Sequence, residues 1–183
     1  RERLVAGLTD IRETAALFAS FSFPEFERET EYVSLSHPEY YAFYDGDIVS
    51  SDGRQTPAHQ YRKVIQEYLV PYATAKYARA HRPEYMVGAL ARINNNFQQL
   101  SPLAREIAGM TRLTVPYFNL FMNPVAQIVE SAHCLEEGIQ IIDQLMEAGV
   151  SAKDEGTEVT PRSGSGVGAV EAPRGILFHE YEY

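Results

Sequence analysis

The chain has 183 residues, 45% hydrophobic and 22% charged, the balance of one soluble globular domain long enough to bury a real core. Its net charge of -9, from 25 acidic against 16 basic residues, argues against nucleic acid or an anionic membrane surface as partner, and no apolar run approaches the roughly 18 residues of a membrane span. A single cysteine, Cys134, excludes an internal disulfide and a thiolate metal cage built by this chain alone, so a reducing, cytoplasmic setting is expected.

In chain order, Leu4, Val5, Leu8, Ile11, Ala15 and Phe18 form one stripe of an amphipathic helix over 1–18. No capping residue precedes it, so the helix reads as one joined in its middle. Phe23-Pro24 breaks the pattern, and 30–36 alternates as a strand. Asp45-Gly46 predicts a hairpin between 41–44 and 47–50. Thr56-Pro57 predicts a helix to about residue 69, Ser101-Pro102 a short one to about 109, and Asn123-Pro124 the longest, closed by Gly149. Residues 150–168, rich in Gly, Ser and Thr, predict a long flexible loop, and 176–183 a final strand that stops without a turn signal. The expected architecture is mainly helical (α+β), with a small antiparallel sheet. Both ends look cut, so 1–183 reads as a single internal segment of a larger protein.

Few residues stand out for chemistry. Ser163–Gly168 has the glycines of a phosphate loop, but Pro173 and a strand follow it where a helix N-terminus is required, so the glycines read as backbone adaptors. The five histidines form no pair at metal-ligand spacing, and His37, His59 and His81 read as surface or turn residues. Cys134, beside His133, reads as a small buried hydrophobe or an inert flank of the long helix. The pairs Glu136-Glu137 and Glu180/Glu182 read as solvated faces. Two stretches remain. In Val87-Gly-Ala-Leu-Ala-Arg-Ile-Asn-Asn-Asn96, Gly88 and Arg92 interrupt an apolar run. In Glu171-Ala-Pro-Arg-Gly-Ile-Leu-Phe-His179, Pro173 and Gly175 frame Arg174 on a rigid, thin backbone. Such an arginine suits a planar or anionic ligand; a structural arginine paired with Glu171 or with a carbonyl carries equal weight on the residues alone.

EAPRGILFH (171–179) after a Gly-rich loop, VGALARINNN (87–96), YVSLSHPEYY with DGDIVSSDG (32–53) and LSPLARE (100–106) occur in the order of the nickel–iron hydrogenase large subunit, and the chain resembles that family along essentially its whole length. The likeness is strongest to the soluble, multi-subunit cytoplasmic types. It implies a hydrogenase large-subunit fold and a part in the reversible oxidation of dihydrogen. It further implies a nickel–iron centre in the complete protein, and as partners an iron–sulfur small subunit with further electron-transfer subunits. In the family two Cys-x-x-Cys motifs carry the metals; neither is present here, so this chain alone is expected to hold no metal, to be inactive, and to self-associate through apolar helix faces. The resemblance makes Arg174 the catalytic guanidinium over the open metal site, with Pro173, Glu171 and His179 around it. A non-catalytic relative of the same fold, a complex I-type scaffold, is the alternative; the arginine of the PRG stretch favours the hydrogenase branch.

Overall fold

The computed structural model describes residues 1–149 and 160–183. Helix α1 (Glu2–Ala19) lies along α4 (Asn123–Ala148), and α3 (Pro102–Met110) packs on α4 as well. Helix α2 (Ala89–Asn96) is short and almost wholly internal: Ala89, Leu90, Ala91, Arg92, Ile93 and Asn96 are all buried. It bridges α4 and the sheet. That sheet has the order β3-β2-β1-β6, from β1 (Glu31–Ser36), β2 (Asp47–Ser50), β3 (Arg54–Pro57) and β6 (Tyr85–Met86). Two hairpins stand outside it: β4 (Gln66–Tyr68) with β5 (Tyr77–Arg79), and β7 (Ser165–Ala172) with β8 (Gly175–Glu182).

Strand β1 is the centre of this arrangement. It is buried on both faces, with α2 on one side and the cluster of Val33, Leu35, Ile48 and Val64 on the other, so its five leading residues are buried without alternation. The larger core joins Tyr32 to Leu90, Ile93, Ile107, Val125 and Val129, apolar faces of three helices closing on one strand. No helix among the described residues is long and apolar enough to cross a membrane.

Five predicted elements hold, the strand expected over 30–36 among them as β1. Helix α1 covers the predicted stripe without a side-chain cap, α3 and α4 start at their expected prolines, and Gly149 closes α4 with a positive φ of 75°. Strand β8 occupies the predicted final segment. Other readings need correction. The fold is of the α+β class as expected, but its sheet is not purely antiparallel, because β6 runs parallel to β1. The hairpin partner of β2 is β1, not 41–44: Gly46, at φ +118°, turns the chain so closely over the Ser36 carbonyl that a Cβ there would lie 2.3 Å from its oxygen. Residues 41–44 instead send Tyr41 and Ala42 into the two cores. The helix expected from Thr56-Pro57 is absent. Pairing with β2 holds Arg54–Pro57 as a strand, and only a 3₁₀ segment, Ala58–Lys63, follows. Tyr61, Val64 and Ile65 supply one apolar turn, too little to carry a longer helix. Of the predicted 150–168 loop, 150–159 lie outside the described residues, and Ser165–Gly168 are part of β7. Gly164, Gly166 and Gly168 each have open space where a Cβ would be, so no close approach explains them.

Candidate active site frame

The two stretches singled out by sequence meet. Arg92, on the buried face of α2, projects between α4 and β7 with 3% of its surface exposed. Its guanidinium grips Glu130 of α4 with two bonds, Nε to Oε1 at 2.5 Å and Nη2 to Oε2 at 2.6 Å. The third nitrogen, Nη1, reaches β7, donating to Glu171 Oε2 at 3.0 Å and to the Ala172 carbonyl at 2.8 Å. A fork of fixed donors can serve three acceptors at once, which a point charge cannot.

The carboxylates are held from their other sides. Glu171 Oε1 accepts from the Leu35 amide at 2.6 Å, tying β7 to β1, and the Tyr41 hydroxyl donates to Glu130 Oε1 at 2.7 Å. The Phe43 ring covers the guanidinium, its centroid 5.9 Å from Cζ. Burial pushes the Glu171 carboxyl up to about 7, against the pull of the Leu35 amide and of Arg92. Burial, aided by Glu130, likewise drives the Tyr41 hydroxyl well above its ordinary value. Burial works to lower the Arg92 guanidinium, but its bonds to Glu130 and Glu171 prevail and raise it, so it stays charged.

The cluster forms one wall of a cavity of about 680 Å³, between α1, α4 and the end of β7, lined by Phe43, Glu130, Cys134, Glu171 and Pro173 among others. A second cavity, about 510 Å³, lies against Gly175–Phe178 and Tyr61. Pro173 thus lines the first hollow and Gly175 the second. Glu171 is in the buried cluster and Pro173 is on the cavity wall. Arg174 is exposed at the tip of the turn and makes no hydrogen bond or ion pair among the described residues; Glu171 is taken by Arg92 instead. His179 is not brought to this cluster: it lies farther along β8, exposed, its Nδ1 3.1 Å from the Tyr181 hydroxyl and its ring stacked on Tyr181.

Other expectations shift. Cys134 is exposed on the cavity wall rather than buried, its thiol pushed up chiefly by partial desolvation and further by Glu130. His81 is no plain surface residue, because its Nδ1 sits 2.9 Å from Glu31, which is fully buried and also bonded by the Ser50 hydroxyl and the Arg82 amide. Glu180 is tied to Tyr61 and Arg62, and Glu136 accepts from the Leu103 amide at the start of α3. Sequence reading missed Glu130 and Tyr41. The available signal for Glu130 was a carboxylate inside the otherwise uncharged 123–135 stretch of α4.

The chain matches no protein-family model. It is 30% identical over 181 residues to the alpha subunit of sulfhydrogenase 1 of Pyrococcus furiosus, covering 93% of this chain and 41% of that protein. It is 32% identical over 169 residues to a vhu subunit of the F420-non-reducing hydrogenase of Methanocaldococcus jannaschii, covering 84% of this chain and 39% of that protein. The alpha subunit of sulfhydrogenase 2 of P. furiosus is 32% identical over 136 residues. The chain belongs to the hydrogenase large-subunit family. It spans about two fifths of the length of the two hydrogenase subunits first named. These relatives all carry hydrogenase names, which does not favour the complex I-type scaffold.

A nickel–iron centre held by four thiolates does not fit the donors of this hydrogenase segment. It has one thiol, and among the described residues no three His, Cys, Asp or Glu side chains converge as a metal set. What the described residues do show is a buried ionic cluster that anchors the base of an arginine-bearing turn.

Proposed function

We propose that this chain is the part of a nickel–iron hydrogenase large subunit that frames the dihydrogen-splitting site, with Arg174 as the catalytic guanidinium. The observation that carries the reading is the β7–β8 turn. Its base is locked by Glu171, its wall residue Pro173 faces the 680 Å³ cavity, and its tip leaves Arg174 without a partner among the described residues. Splitting dihydrogen separates a proton from a hydride, and a preorganised, always-charged donor stabilises the charge that develops in a dry site. Pro173 fixes the backbone before the guanidinium, and Glu171 holds the strand that leads to it. His179 belongs to the outer surface of the hairpin in this reading. The metal centre with its thiolates, the iron–sulfur small subunit, and further electron-transfer subunits belong to the intact cytoplasmic enzyme, with the hydrogenase large-subunit fold completed around this segment. The exposed apolar residues Leu17, Phe21, Ile141, Leu145 and Met146 on α1 and α4 and beside them are where this chain by itself would self-associate.

The test is Arg174→Lys in the intact hydrogenase. It keeps the charge but loses the planar fork, so metal content stays normal while dihydrogen turnover falls by about 10²–10³. Normal metal content with near-normal turnover would make Arg174 a structural residue.

A further inference from the structure

We infer that Arg92 is a positioning residue for Arg174: helix α2 fixes where the guanidinium at the turn is presented. The inference rests on the reading of Arg174 given above, but its structural half can be measured separately.

Two attachments, one helical turn apart on α2, meet the β7–β8 turn. The first is polar, Arg92 Nη1 to the Ala172 carbonyl at 2.8 Å, immediately before Pro173. The second is steric. Gly88, at φ +90°, lets the turn lie directly on the start of α2, and a Cβ there would come within 3.3 Å of both the Arg174 Cα and the Pro173 oxygen. Next to it, Gly175 passes Val87 so closely that a Cβ would meet the valine methyl at 3.2 Å. Each of the residues 173, 174 and 175 therefore has its backbone referenced to residues 87–92 rather than only to its own hairpin. The Arg92 N–H donates to the Gly88 carbonyl at 3.0 Å, so both attachments belong to one rigid turn. Arg92 cannot drift, because Glu130 holds it with two bonds to a different helix. A two-stranded hairpin on its own would leave its tip free to move. This one has its tip tied to the core.

Lysine at 92 keeps one positive charge but cannot span Glu130, Glu171 and the Ala172 carbonyl together. Gly88→Ala leaves every charge in place and displaces the turn instead. Hydrogen exchange on the chain reads both. The expected result is at least about tenfold faster exchange of amides across 171–177 in Arg92→Lys, with the α4 amides over 125–132 still protected, and the same local loosening in Gly88→Ala. In the intact hydrogenase, Arg92→Lys should lower turnover by up to about 10²-fold at unchanged metal content, as misplacement of a catalytic group does. Arg174→Lys added to Arg92→Lys should then cost much less than it does alone. Unchanged exchange across 171–177 in both variants, or equal loosening of 125–132 with 171–177, overturns the positioning role. Additive losses of turnover overturn it as well. If the exchange result stands but Arg174→Lys keeps full turnover, the clamp is real and it is the assignment of Arg174 that falls.

Discussion

The Arg92 cluster and the β4–β5 hairpin use the same kinds of side chain under opposite physics. In the cluster, Arg92, Glu130, Glu171 and Tyr41 are buried and every charge has a partner. On the hairpin all six strand residues are exposed, and its ion pair, Lys76 to Glu67 at 2.9 Å, stands in water. Removing charges from water costs several kcal/mol per ion, which their mutual attraction repays only with near-ideal geometry, so the net contribution of a buried cluster to stability is small. Its value is that only one arrangement is tolerated. The exposed pair costs little to form and specifies little. Fixed geometry belongs to the charges that water cannot reach.

Breaking one partner should expose the difference most strongly. Arg92→Met leaves two carboxylates buried without their cation and should cost about 3–5 kcal/mol in denaturant unfolding at neutral pH. A loss below about 1 kcal/mol would mean that the cluster is no more demanding than the hairpin. Titration gives the next largest effect. Glu171 takes up its proton near 7 when folded against about 4.5 when free, so its raised folded value favours the native state below pH 4.5. That contribution is lost as pH rises through 7, by about 3 kcal/mol over the interval. Glu171→Gln should flatten that fall, and an unchanged stability–pH profile would show that Arg92 keeps the carboxyl ionised throughout. Tyr41→Phe takes one donor from Glu130 and should cost about 1.5–3 kcal/mol, read as a lower melting midpoint. Lys76→Ala should leave the midpoint where it is; a clear drop would place the hairpin pair in the same class as the cluster.

The helices were legible because their start and stop chemistry is local: Ser101-Pro102 and Asn123-Pro124 at the start, Gly149 at the end. The sheet was less so, because pairing is not local. Nothing within 41–44 says that β2 will take β1 as its partner, or that β6, two residues long, will lie parallel to β1. Residues 54–57 have helix-capping chemistry, and pairing with β2 overrides it. In the site, Glu171 and Pro173 could be found from the rigid EAPRG stretch. Tyr41 could not, because its role depends on an arginine 51 positions away in the chain, and for Glu130, 38 positions from that arginine, only its place as the lone carboxylate of 123–135 pointed to it. Arg174 was chosen by resemblance, and the structure adds that Glu171 is committed to Arg92.

The chain separations within the cluster bear on the order of folding. Leu35 and Glu171, which share a hydrogen bond, are 136 positions apart, whereas Arg92 and Glu130 are 38 apart. The residues of the helices and the central sheet are synthesised before those of β7–β8, and closing the longer loop carries the larger entropic cost. Arg92 and Glu130 can therefore meet first as a neutral pair with one free guanidinium nitrogen. The second carboxylate arrives last, with the turn behind it. Docking of β7–β8 is then a late latch, and the arginine it bears is set in place only after the rest of the segment has taken shape.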